Sequence, residues 1–397
     1  MKKKLLFVIP NLGVGGAEKS LVNLLNELDY DKYEVDLFLM SKTGIFLEQV
    51  PKEVNVLPES LYFKKFSIRF YKSLWWFLTH FKFSLVFYKI LFTLSNRLTK
   101  NVVLSEQKNW RYLKHFFPVL SKEYDVSIGY LEKNANYIAV DSVKAKKYIG
   151  YIHNDYTAMG LYKKYDLPYF KKMNYVISVS ENCVFCLEKE FPEFPEKFKL
   201  IYNISSSKVI EKLSETKIEE DLKLPYIVSI GRLTKQKSFD LAIKACKILI
   251  NRGVDIGWYI VGDGSTKERE DLEVLIKENN LEQDFFLLGI RKNPYPYVKN
   301  AMIYCQTSVF EGKSIAIDEA KILNKPIVIT NFPTAKDQIQ HLENGYICEI
   351  NPEAIADAIE LLIKDEKLRE KFTENLSKED FGIEKELEKF YKLIEEN

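Results

Sequence analysis

Long apolar runs, paired cysteines and histidine clusters are all missing from this sequence. No stretch of its 397 residues holds eighteen uncharged apolar positions in a row, so no transmembrane helix is expected. The five cysteines are an odd number and too few for a disulfide scaffold, which points to a reducing compartment. Cys183-Val-Phe-Cys186 has the spacing of a metal or redox pair, but no second pair accompanies it, and SENCVFCLEKEF reads as an amphipathic helix. Without a His or Cys cluster no metal is expected. Asp29-Tyr-Asp31 carries a metal-binding pattern but ends a helix and reads as a polar turn. MKKKLLFVIP has the cationic start of a secretory leader, yet its apolar run stops at Pro10 and no small-residue cleavage site follows. A cytoplasmic protein, peripheral on the inner face of the plasma membrane, is the expectation.

Two further shortages are local. Gly13, Gly15 and Gly16 are spaced G-x-G-G and lack the third glycine of a dinucleotide fingerprint, which disfavours a nicotinamide or flavin enzyme. Acid is nearly absent from residues 61–120. Eleven Lys or Arg face the single acid Glu106 there, a local net charge of +10 in a chain whose overall charge is +2, leaving −8 elsewhere. Among these cations lie Phe63, Phe66, Phe70, Trp75, Trp76, Phe77, Phe81, Phe83, Phe87 and Phe92. Basic and aromatic residues together suit an interfacial helix on anionic lipid. A domain core with a solvated basic face is the alternative, and single-stranded nucleic acid would also accept such a surface. The anionic membrane surface is the expected partner, and nucleic acid is not.

The remaining pattern is that of an α/β protein. Leu5–Ile9 is a continuous apolar run fit for a strand buried on both faces. Asn11–Gly16 then turns the chain, and Ala17, Leu21, Leu24 and Leu28 recur at helical spacing. Further strands are predicted near 34–40, 125–130, 148–152, 175–179 and 199–202. After a polar connection over 205–223, a second series lies near 225–230, 257–261, 285–288, 302–306, 326–329 and 346–349. Strands separated by helices imply parallel sheets covered on both faces, and ligands of such sheets bind at the strands' carboxyl ends.

Several candidate residues sit at those ends. Gly231 permits a sharp turn after PYIVSI, and Arg232 and Lys237 follow on the loop, with Lys235 a competitor for the lysine position. A guanidinium fork and an ammonium can bracket a pyrophosphate. Val261-Gly-Asp-Gly264 closes the next strand. Glu311 and Glu319 stand eight positions apart in EGKSIAIDEA, where Gly312 breaks the coil and Ser314 is placed to cap the following helix. The free amides of that helix start offer an anion site beside carboxylates suited to sugar hydroxyls. Gly15 and Gly16 open the first helix and let a ligand approach the backbone. His153, in YIHND, follows a strand and could hydrogen-bond a sugar or acceptor.

As a set, Gly231-Arg232-Leu233 with Lys237, Glu311 with Glu319, and Asn344-Gly345 resemble family 4 of the retaining glycosyltransferases, most strongly over 225–350 and with the exception of 60–120. The resemblance implies a GT-B fold, two Rossmann-like α/β/α domains facing across a cleft. It places an N-terminal acceptor domain over 1–205, a donor domain over 206–375, and a helix over 376–397 packing back on the first domain. Arg232 and Lys237 would hold the donor diphosphate, Glu311 the sugar hydroxyls and Glu319 the ribose. The backbone of Gly312, Lys313, Ser314 and Ile315 would line the sugar and phosphate site. Gly15 and Gly16 would approach phosphate and acceptor, and His153 would lie near the sugar. Such enzymes generally need no metal or other cofactor. Two positions depart from the pattern: Lys313 and Ser314 replace the usual apolar residue, and Ser238 the usual glycine. The reading is a retaining transferase that uses a UDP-sugar and a lipid-linked or surface-polysaccharide acceptor. A sugar-nucleotide epimerase of the same fold, or a non-catalytic membrane-surface binding protein, are the alternatives.

Overall fold

A computed structural model describes residues 2–13, 15–205, 207–379 and 383–396. The chain forms two compact units, with residues 1–13, 17–202 and 386–397 in one and residues 14–16 and 203–385 in the other.

The first unit is built on seven parallel strands: β1 (Lys3–Ile9), β2 (Tyr33–Leu39), β3 (Asn55–Val56), β4 (Glu123–Gly129), β5 (Lys144–Ile152), β6 (Tyr175–Ser178) and β7 (Phe198–Leu200). They lie in the order β3-β2-β1-β4-β5-β6-β7. Leu5 to Ile9 of β1 are fully buried, as the continuous apolar run requires of a central strand. Between β3 and β4 the basic segment folds into the helices Leu61–Phe66, Phe70–Thr79, Phe83–Leu98 and Val102–Leu113. Phe66 and Phe77 are buried in the unit's core, and Phe63, Trp76 and Phe92 pack against it. The Cys183 and Cys186 pair lies on the helix Glu181–Glu190, where burial pushes both thiols up, to about 12 and about 11. Neither is therefore a thiolate nucleophile at neutral pH.

The helix Ile383–Glu395 returns to this unit. Phe390 stacks on Phe7 at 6.2 Å and Tyr391 on Tyr33 at 5.5 Å. Lys3 pairs with Glu395 at 2.7 Å, and Lys147 donates to the carbonyl of Leu393.

The second unit carries β8 (Tyr226–Ile230), β9 (Gly257–Val261), β10 (Phe285–Gly289), β11 (Ile303–Gln306), β12 (Ile327–Thr330) and β13 (Tyr346–Cys348), all parallel, in the order β10-β9-β8-β11-β12-β13. The polar connection of 205–223 is not all coil. It contains the helix Ser207–Ser214, held because Ile210 is buried with Tyr295 and Ile322. No helix among the described residues is long and apolar enough to cross a membrane.

In both sheets the strand order reverses once, between β1 and β4 and between β8 and β11. The loops leaving two such strands diverge to opposite faces and open a crevice at the carboxyl ends.

Phe390 is fully buried, so Phe390→Ala should lower unfolding stability by about 3–5 kcal/mol, read as a reduced urea midpoint with unchanged slope. An unchanged midpoint would mean that the terminal helix does not cover β1 in solution.

Candidate functional site

The reversal in the second unit brings two loops together, Gly231–Ser238 after β8 and Thr307–Ser314 after β11. They are stitched to each other. The amide of Val309 donates to the Gln236 carbonyl at 2.9 Å, Thr307 Oγ1 to the Lys237 carbonyl at 2.8 Å, and Gln236 Nε2 to the Phe310 carbonyl at 2.9 Å. Gly231 leaves room for this path, since a Cβ there would lie 3.0–3.2 Å from the Lys237 methylenes. Gly262, at φ +146°, is needed because a Cβ would meet the Gly231 carbonyl oxygen at 2.0 Å. Ser238 sits at φ +48°, in the left-handed region that glycine occupies freely, and Ser238 Oγ closes the turn on the Lys235 carbonyl at 2.7 Å.

The Glu311 carboxylate accepts from four side chains of this site. The residue is 6% exposed, and its Oε1 accepts from Lys237 Nζ at 2.6 Å, Ser308 Oγ at 2.5 Å and Gln306 Nε2 at 3.3 Å. Gln236 Nε2 reaches its other oxygen at 3.3 Å. Gln306 is itself fixed by the buried Tyr304 hydroxyl at 2.6 Å, and the Glu311 carbonyl accepts from Thr334. Lys237 is thus bound to a carboxylate, whereas the Arg232 side chain is exposed and its guanidinium forms no hydrogen bond or ion pair among the described residues. The pair Lys237–Glu311 joins the two charge types that the sequence singled out. Lys235 is exposed, away from this contact.

Ser314 does not cap the helix Ile315–Ile322 as its position suggested. Its side chain makes no capping bond, and the Gln338 amide takes over, accepting from Ser314 N and donating to Ser314 O, both at 2.8 Å. Gln338 also reaches Asp318, which faces Lys313 at 3.6 Å. Gly312 is buried beside Glu311, and the amides of Ile315 and Ala316 open the helix, where no intrahelical acceptor exists for them. Glu319 is 2% exposed within this helix and accepts from the Tyr295 hydroxyl at 3.0 Å. Burial, reinforced by that carboxylate, raises the Tyr295 pKa and keeps the phenol a donor. Gln236, Gln306, Ser308, Thr334, Gln338 and Tyr295 carried no signal in the sequence, because four separate segments, at or after the ends of β8, β10, β11 and β12, deliver them.

Gly15 follows the β1 loop and Gly16 opens the helix Gly16–Glu27. His153 follows β5 and is 7% exposed, its ring stacked on Tyr151 at 5.4 Å and tilted against Tyr130 at 5.1 Å. Neither ring nitrogen meets a partner at hydrogen-bond geometry among the described residues. Its backbone amide donates to Glu132 at 3.2 Å, a carboxylate on the loop after β4 that also accepts from Asn154. Burial lowers the His153 pKa to about 4, outweighing the opposing charge of Glu132. The imidazole is accordingly neutral at pH 7, with one donor and one acceptor to offer. The His153 ring signals of 15N-histidine-labelled protein should stay constant from pH 8 down to about 5, where an ordinary imidazole of pKa about 6.5 would already be mostly charged. A midpoint near 6.5 would refute this burial.

With this geometry in view, likeness to known proteins is informative. The family described as glycosyl transferases group 1 matches residues 211–379, which hold the loops after β8 and β11 and the helix Ile315–Ile322. A Campylobacter jejuni protein named N-acetylgalactosamine-N,N'-diacetylbacillosaminyl-diphospho-undecaprenol 4-alpha-N-acetylgalactosaminyltransferase is 27% identical over 93% of this chain and 93% of its own. An uncharacterized glycosyltransferase of Haemophilus influenzae is 31% identical over 54% of this chain, a match spanning 61% of that protein. Among solved structures, a Staphylococcus aureus TarM variant in complex with Fondaparinux, alpha-GlcNAc-glycerol and UDP has a TM-score of 0.71 at 17% identity, covering 100% of both chains. Anabaena HepE in complex with UDP and glucose has a TM-score of 0.68 at 15% identity, again covering 100% of both. Residues 211–379 thus match the group 1 glycosyl transferases, and the chain carries the GT-B fold.

Proposed function

We propose that the chain is a retaining glycosyltransferase that moves a sugar from a nucleotide-sugar, a UDP-sugar, to a lipid-linked or polysaccharide acceptor. The carrying observation is the Lys237–Glu311 ion pair, on the loop that also carries the exposed guanidinium of Arg232, at the point where strand order reverses. Support for the donor comes from TarM and HepE, whose structures contain UDP. Support for the acceptor comes from the diphospho-undecaprenol of the Campylobacter relative and the poly(ribitol-phosphate) of a Staphylococcus aureus relative 29% identical over 42% of this chain.

In this reading Arg232 and Lys237 meet the donor diphosphate, and their charge counts most as the sugar–phosphate bond breaks. The amides of Ile315 and Ala316 add partial positive charge at the same group. Glu311 accepts from sugar hydroxyls, with Ser308 and Gln306 holding the carboxylate in place. Glu319 faces the ribose. The sugar C1–oxygen bond to the diphosphate breaks, a bond from C1 to the acceptor oxygen forms on the same face, and the acceptor's proton passes to the departing diphosphate. His153, being neutral, acts as a hydrogen-bonding group and not as a cation. No step draws on a metal.

Arg232→Ala and Glu311→Gln should each reduce kcat/KM by about 10²–10³-fold while far-UV circular dichroism stays unchanged. Calorimetry of the parent against nucleoside diphosphates should show selective binding that Arg232→Ala loses. Parent-like rates in both variants would sink the site assignment. Consumption of the sugar nucleotide without acceptor would replace transfer with epimerisation, and an inverted anomeric centre in the product would end the retaining mechanism.

A further inference from the structure

The helices Phe70–Thr79 and Phe83–Leu98 are apolar on two sides. One side enters the core through Phe77 and Leu85. The other lies open. Along the second helix Phe83, Phe87, Ile90, Leu94 and Leu98 are exposed at spacings of four, three, four and four residues, a single stripe about 22 Å long. On the first helix Tyr71, Trp75 and Leu78 are exposed at spacings of four and three, with Trp75 at 67%. Phe81, in the turn between them, is 80% exposed and held at φ +54°, a backbone conformation that a bulky side chain rarely adopts. Neither burial nor local preference accounts for an aromatic ring there.

The rim is cationic. Arg69, Lys72, Lys82, Arg97 and Lys100 are exposed around these helices, and Arg69, Lys72, Arg97 and Lys100 form no ion pair among the described residues. Glu106, the one acid of the segment, is taken by Lys133.

We propose that this face docks on an anionic lipid bilayer, the two helices lying in the interface with Trp75, Phe81, Phe83 and Phe87 inserted and the cations at the headgroups. Charge decides the occupant. A second copy would set one segment of net charge +10 against another with no free acid to offset it, whereas an anionic headgroup layer complements it. At sixteen residues the longer helix is too short to span a bilayer and is suited to lie along one. This inference is independent of the transferase reading.

The test is co-sedimentation of the full-length protein with vesicles of phosphatidylcholine, with and without phosphatidylglycerol. Binding is expected only with phosphatidylglycerol, weaker at high salt, and accompanied by a blue shift of tryptophan emission that Trp75→Phe removes. The triple variant Phe83→Ser, Phe87→Ser, Leu94→Ser should bind about tenfold more weakly or worse, with nucleotide binding and circular dichroism unchanged. Binding equally to neutral vesicles, binding to neither, or an unshifted emission would overturn the proposal. So would a parent dimer in light scattering that the triple variant converts to monomer, which would assign the face to a second copy.

Discussion

Burying the Glu311 carboxylate is the constraint around which the second unit's site is arranged. A charge removed from water is tolerated only when an opposite charge and further hydrogen bonds surround it. Lys237 supplies the charge, and Ser308 and Gln306 the bonds. Each of these requires something further back. Lys237 reaches Glu311 because Gly231 has no side chain, and Gly231 turns where it does because Gly262 can adopt φ +146°. Gln306 and Ser308 arrive from β11, which lies against β8 only because the strand order reverses at that point.

The first unit handles a buried titratable group in the opposite way. His153 packs against the stacked rings of Tyr130 and Tyr151 and is kept neutral by desolvation. The two buried polar groups therefore present opposite characters at pH 7. One is a fixed charge already neutralised by a lysine, and the other is an uncharged ring with unused hydrogen-bonding capacity. Chemistry that builds and discharges negative charge needs fixed cations near the charge and uncharged donors elsewhere, so that the ground state is not overbound.

Much of this architecture was legible from local pattern. Gly257–Val261 appears at the residues its apolar run marked, and the first unit's central strand lies where Leu5–Ile9 predicted. The Gly-Arg…Lys and Glu-Gly segments could be found because strand ends and helix starts leave punctuation in glycine and polar residues. What could not be read was three-dimensional delivery. Gln338 displaces the expected Ser314 cap from 24 residues away, and Ser207–Ser214 is helical through the burial of Ile210 within a polar stretch. In Phe83–Leu98 both faces are apolar, so periodicity alone could not say that Leu85 turns inward and Phe87 outward.

The return of the helix Ile383–Glu395 to β1 bears on biosynthesis. A ribosome makes β1 to β7 first, then the 183 residues from 203 to 385, and only afterwards the helix that covers Phe7 and Tyr33. At about 5–20 residues/s the nascent first unit keeps that hydrophobic face open for roughly 10–40 s. During that interval the face is open to association with other chains, and a chain ending before residue 383 would lack its cover.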